Sequence, residues 1–201
     1  MRFSLRHDLR SLGGNTRRRV GAQDRRRLSV LRVTLALAVS LTATLGSRPQ
    51  ASGELSVPAA IQAAIFKKIF GYDHILSGVA PRIRIVYAPE YASAAKDLEK
   101  AFRAVELSVD LAPIDQTHQL GSANVVYVLA ATVPAALKDL CAKSKVLSVS
   151  SLSSLAYRGD GSVALRMKGD GKPGIVVHMG RLAAEGHELS ASLLQLVEVV
   201  R

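Results

Sequence analysis

Five consecutive apolar residues, Val125-Val126-Tyr127-Val128-Leu129, constrain this chain most, because they leave no polar side for water. A strand with one wet face alternates apolar and polar residues. A strand without alternation is covered on both faces, as in the middle of a parallel sheet. The flanking sequence must then supply a helical layer for each face.

It does so on both sides. Through residues 58–71, Ala60, Ala63, Ala64, Ile65, Ile69 and Phe70 recur at helical spacing, with Ser56 as cap and Pro58 in the first turn. Residues 82–87, RIRIVY, alternate as a strand that Pro89 ends. Residues 91–105 read as a second amphipathic helix with Ala94, Ala95, Leu98, Phe102 and Val105 on one face, and 107–111 as a second strand. Beyond the central run, 134–143 is a third helix, 146–149 a short buried strand, and 150–157 a short helix or irregular turn. The pattern then changes. Strands at 162–168 and 174–179 are joined by Gly169-Asp170-Gly171-Lys172-Pro173, which reads as an antiparallel hairpin. A helical turn at 181–185 ends at Gly186, and Leu193, Leu194, Leu196, Val197 and Val200 predict a last helix over 190–200. The expectation is an α/β fold: one three-layer domain with a mostly parallel sheet flanked by helices and a C-terminal antiparallel hairpin.

The net charge of +11 would ordinarily suggest nucleic acid or an acidic membrane. Its distribution argues against nucleic acid. Residues 1–48 carry eleven arginines against two acids, Asp8 and Asp24, so nine of the eleven net charges sit in that leader. The remainder is nearly neutral, and 4% aromatic content leaves few rings on which bases could stack. Behind Arg17-Arg18-Arg19 and Arg25-Arg26-Arg27 comes the apolar run of residues 33–46, VTLALAVSLTATLG. A membrane-spanning helix needs about 20 apolar residues, whereas a signal-peptide core needs about 7–15 behind a positive segment. Residues 1–53 therefore read as a basic leader and signal peptide, cleaved after Gly46 or after Gly53, with 54–201 as the body. The Sec route is expected. Arg26-Arg27-Leu28-Ser29-Val30-Leu31 also loosely resembles a twin-arginine signal, and an uncleaved anchor or basic tail is the alternative.

Catalytic signatures do not emerge. Past the leader the histidines are His74, His118, His178 and His187, and no two stand at a spacing that would hold a metal on one helix face. The single Cys141 follows Leu137 and Leu140 on a helix and reads as a buried small apolar residue. Gly159-Asp160-Gly161 and Gly169-Asp170-Gly171 match neither a phosphate loop nor a calcium loop, and suit tight turns. No cofactor or metal is expected, and neither is an enzyme. Parallel α/β sheets place ligands beyond the carboxyl ends of their strands, which singles out Tyr87, Glu90, Tyr91, Ala130, Ser150 and Ser151 for a ligand or partner.

Three stretches, residues 60–72 (AIQAAIFKKIFGY), 146–163 (VLSVSSLSSLAYRGDGSV) and 182–200 (LAAEGHELSASLLQLVEVV), resemble in order the opening helix, middle and close of the YfiR-like family of periplasmic proteins. The resemblance implies a compact periplasmic α/β domain that restrains a membrane-bound sensor or diguanylate cyclase by binding its periplasmic part. The expected function is thus non-catalytic regulation or interaction in the periplasm, with a membrane-protein partner in the envelope. The alternative is a periplasmic small-solute binding protein. N-terminal sequencing of the protein from an envelope fraction should begin between Ser47 and Val57; an intact Met1 in the cytosol would overturn export.

Overall fold

The structure is a computed structural model, and residues 57–201 are described. The arginine leader, the apolar run of 33–46, both cleavage points and Ser56 lie outside the described residues.

Seven strands form one mixed sheet in the order β2-β1-β3-β4-β5-β6-β7. They are β1 (Arg82–Tyr87), β2 (Ser108–Pro113), β3 (Val125–Leu129), β4 (Leu147–Ser150), β5 (Val163–Met167), β6 (Pro173–His178) and β7 (Glu198–Val200). The pairs from β2 to β5 are all parallel. The hairpin pair β5–β6 is antiparallel, as its Gly-rich linker predicts. The helices are α1 (Ala59–Gly71), α2 (Ala92–Ala104), α3 (Ala135–Ser144), α4 (Ser153–Tyr157), α5 (Met179–Ala184) and α6 (Ala191–Leu194). The α/β expectation holds: helices cover both faces of a mostly parallel, open sheet.

Central burial explains the layering. All five residues of β3 are buried, as are all four of β4. Val125, Tyr127 and Leu129 point into one core with Phe66 of α1 and Phe102 of α2. Val126 and Val128 point into the other with Leu137 and Cys141 of α3 and Leu155 of α4. The Tyr127 ring meets Phe66 and Phe102 edge-on, with centroids 5.5 and 5.7 Å away, the arrangement that aromatic quadrupoles favour. Its hydroxyl donates to Gln62 Oε1, and Gln62 donates in turn to the carbonyl of Val57. A buried phenol is thereby satisfied at the start of α1.

The C-terminal expectation needs correction. Residues 190–200 do not form one helix. Ser190 caps α6, accepting from the amide of Leu193, but α6 spans only 191–194. The chain then adds β7 to β6 in parallel register, with Val199 beside Val177. The apolar spacing fits either structure locally. Val197, Val199 and Val200 favour a strand, and the open edge of β6 supplies the hydrogen-bond partners that a lone helix end lacks. Val200 packs on Ala156, Ala164 and Val176, and Glu198 pairs with Arg166 at 2.8 Å. A smaller difference is that the second strand runs to Pro113 rather than stopping at Leu111.

Phe66 sits where both aromatic contacts to Tyr127 and Phe102 meet, and it is fully enclosed. Phe66→Ala should cost about 3–5 kcal/mol, read as a lower denaturant midpoint at unchanged slope.

Candidate functional site

The strand order reverses between β1 and β3, as in doubly wound sheets that take ligands at the carboxyl ends flanking such a point. The residues expected there are partly available. The amide of Ala88 donates to Leu129 O at 2.9 Å, so β1 and β3 end level. A 3-10 turn over Pro89–Tyr91 follows, leaving Glu90 exposed and Tyr87 and Tyr91 half-buried against the main core. Partial burial, then the negative charge of Glu90, hold the Tyr91 phenol above its ordinary range. Ala130 is buried.

The two serines are used internally. Ser150 is buried, donating its hydroxyl to Val128 O at 2.7 Å and accepting from the amide of Leu152 at 3.0 Å. Ser151 hydrogen-bonds the buried Tyr127 phenol. Burial, the dominant cause, drives that phenol well above its usual value despite this contact. Tyr87, Glu90 and Tyr91 therefore share one surface turn, while Ser150 and Ser151 serve the far side of β3.

The buried charges lie at the opposite, amino end. Glu185, fully enclosed at the end of α5, accepts four hydrogen bonds. They come from the Ser148 amide (2.9 Å), the Ser148 hydroxyl (2.6 Å), the Ser162 hydroxyl (2.5 Å) and Arg181 Nε (2.8 Å). Arg181 also donates to Lys138 O. One carboxylate thus binds β4, the start of β5, α5 and, through Arg181, α3. Charge in such a place is tolerated because every lone pair has a donor.

Beside it, His187 Nδ1 lies 2.9 Å from Asp73 Oδ2 and Nε2 lies 3.2 Å from Lys145 O. Asp73 Oδ1 accepts from the amides of Ile75 and Leu76. Burial pulls the imidazole pKa down. The hydrogen bond and charge of Asp73, the Lys145 carbonyl and the charge of Glu185 together raise it above 6.5. The sign follows from that direction. The stabilisation is complete below about 6.5, the unfolded value, and is lost as pH rises through the higher folded value.

His178, Asp160 and Cys141 are each engaged within the fold. His178 ends β6 and caps α5, accepting from the Arg181 amide at 3.0 Å. Gly159 has φ +69°, and a Cβ there would stand 2.9 Å from His178 Nε2, so backbone conformation and space both require glycine. Asp160 between the glycines pairs with Lys138 and Arg158, each at 2.9 Å. These partners outweigh its burial and hold the carboxyl below its ordinary range. Cys141 is buried, its thiol pushed up to about 12 chiefly by burial and then by the charge of Glu185. Such a thiol is a poor nucleophile at neutral pH. Among the described residues no three His, Cys, Asp or Glu side chains gather as a metal cage.

Sequence reasoning missed the Asp73–His187 pair because its members are 114 residues apart. It also missed Tyr72, Ile75 and Val79, which project from the connection between α1 and β1 with 44%, 54% and 51% of their surface exposed. Two open hollows flank that connection. One, of about 380 Å³, is lined by Tyr72, His74, Ser77, Ser190 and Ser192; the other, of about 240 Å³, by Phe70, Leu76, Val79, Pro81 and Leu107.

Fold and site together define an α/β domain of the doubly wound kind, extended at one edge by a hairpin and a short strand. No family model matches the sequence, and no curated protein matches it. Among solved structures, the chain is similar to a conserved domain protein of Vibrio cholerae O1 biovar El Tor, with 15% identity and a TM-score of 0.56, over 74% of this chain and 62% of that one. It is also similar to an ABC domain of Streptococcus pneumoniae solved in complex with L-Trp, with 12% identity and a TM-score of 0.52, over 71% of this chain and 60% of that one. The chain thus spans about three fifths of the length of each. At these identities the likeness is one of fold.

Glu185→Ala should strand Arg181, Ser148 and Ser162 without their acceptor. The expected loss is about 3–5 kcal/mol, read by chemical denaturation, with Glu185→Gln losing less because it keeps an acceptor oxygen.

Proposed function

We propose that the body is a binding domain of the cell envelope that engages a membrane protein through the α1–β1 connection and performs no chemistry itself. The observation that carries this reading is the apolar surface of that connection. Tyr72, Ile75 and Val79 stand in water within eight residues of one another, beside two hollows. Exposed apolar and aromatic groups gathered in one place are what a protein partner covers. The buried charged groups support a non-catalytic role, because Asp73, His187, Glu185 and Arg181 are engaged with one another and with the backbone.

Export by a cleaved signal peptide is supported by the arginine-rich leader and its 14-residue apolar run. The resemblance to the YfiR-like family supports a partner of a particular sort, the outer part of a membrane-bound sensor or diguanylate cyclase. A second reading, a small-solute binding protein, is favoured by one observation: a solved neighbour of similar fold was captured with L-Trp. In that reading the solute lies at the carboxyl ends of β1 and β3, against Tyr87, Glu90 and Tyr91.

A photo-crosslinking residue placed at Ile75 or at Tyr91 in cells producing the full chain separates the two. Capture of one membrane protein from position 75, and of the same protein from a crosslinker at Val79 unless Ile75→Asp is introduced beside it, is the expected result. Absence of any captured membrane protein from either position, with the chain present in the envelope, overturns the interaction reading. A melting shift with a small solute, about 2.7 kcal/mol at a hundred times its Kd, establishes the second.

A further inference from the structure

We propose that His187 is a proton-operated clasp that sets the shape of the α1–β1 connection and so regulates the surface assigned above to partner binding. What the clasp controls rests on that reading; the clasp itself stands on geometry.

Both neighbours of the imidazole ring are acceptors. Nε2 faces the carbonyl oxygen of Lys145, which has no proton to give, and Nδ1 faces the carboxylate of Asp73. The other oxygen of that carboxylate is occupied by the amides of Ile75 at 2.8 Å and Leu76 at 3.0 Å. Both ring nitrogens must therefore donate, and only the imidazolium carries two N–H groups. Losing one proton turns one of these contacts into a pair of facing lone pairs. The two side chains have no exposed surface, so water cannot supply the missing donor unless the site opens.

Three segments meet at this ring. The first is the α1–β1 connection, whose turns start at Asp73: Ser77 donates to Asp73 O at 2.8 Å and Val79 to Leu76 O at 3.0 Å. The second is the α3–β4 turn, where Lys145 is held at φ +51°, a left-handed conformation that a lysine rarely adopts. The third is the segment from Glu185 to Ser190, tied to the connection by His74 N to Glu188 O and Ser190 N to Tyr72 O, each 2.9 Å. The clasp is thus a side-chain contact that reaches all three.

The charged groups around it are few. Asp73 faces the ring from the α1–β1 connection, with exposed His74 beyond it. Glu185 acts on it from α5, already held by Arg181. Lys145 presents its backbone oxygen while its exposed side chain runs past Gly186, and Glu188 is exposed on the segment that carries His187. Protonated, the ring holds the connection as described. Deprotonated, it frees the Asp73 turn, on which Ile75 and Val79 stand.

Nuclear magnetic resonance of the full isotope-labelled chain tests this without a partner. Long-range proton–nitrogen correlation reports how many ring nitrogens of His187 carry protons. Amide exchange at Ile75, Leu76 and Ser77, corrected for the intrinsic base-catalysed rate, reports the connection. The expected result is a ring doubly protonated at about pH 6 that titrates above the free value of about 6.5. Protection at Ile75 and Leu76 falls about tenfold or more through that same titration, while Val126 and Val128 in β3 stay protected. In His187→Gln, which cannot titrate there, the pH-dependent step disappears. A singly protonated ring at that pH, titration at or below the free value, or a step that persists in the variant overturns the proposal. Should the variant not fold, the ring measurement on the unmodified chain decides alone. Crosslinking failure at position 75 would sink the docking reading and leave this result untouched.

Discussion

Burial of β3 and β4 on both faces is the constraint from which the rest of the structure follows. Neither strand presents a polar side to solvent, so each face of the sheet must carry helices, and the helices must be apolar where they land. Tyr127 sharpens the requirement. Its ring is locked between Phe66 and Phe102, and its hydroxyl, enclosed among apolar groups, demands the acceptor that Gln62 supplies. The first helix is thus fastened to the central strand by packing and by a polar contact at one place. The sheet's remaining strands add outward from this pair.

The two ends of the sheet have divided their work. At the carboxyl ends, where doubly wound folds hold ligands, Ser150 and Ser151 are consumed by the backbone and by Tyr127, leaving Tyr87, Glu90 and Tyr91 at the surface. At the amino ends, two buried carboxylates gather the late part of the chain onto the early part. Glu185 fastens α5 to β4 and β5, and Asp73 fastens the segment after α5 to the end of α1. Charge is costly to bury, and it stays where each oxygen has a donor. The exposed apolar residues around Ile75 stand directly on the second of these anchors, where burial lowers the His187 imidazole pKa but the hydrogen bond and charge of Asp73 raise it further, to above its ordinary value.

The chain by itself determined the kinds of element and their alternation, because each is written in local periodicity. Apolar recurrence along 58–71 and 91–105, the unbroken VVYVL, and the Gly-rich hairpin linker all act within a few residues, and the structure forms the indicated elements, with the two helices at Ala59–Gly71 and Ala92–Ala104. The glycine-flanked Asp160 was likewise legible as a turn, since φ +69° at Gly159 is a local demand. The candidate site was legible only in part. A rule about strand ends points to Tyr87, Glu90 and Tyr91, but cannot tell that the hydroxyl of Ser150 already has two partners. Tertiary structure alone decided the strand order, the conversion of residues 198–200 into an edge strand, and the meeting of Asp73 with His187. A strand at the end of the chain depends on whether β6 offers an open edge, and a pair 114 residues apart leaves no trace in spacing. Both are matters of which surfaces are brought together, and that is settled by burial of the whole core rather than by any short run of residues.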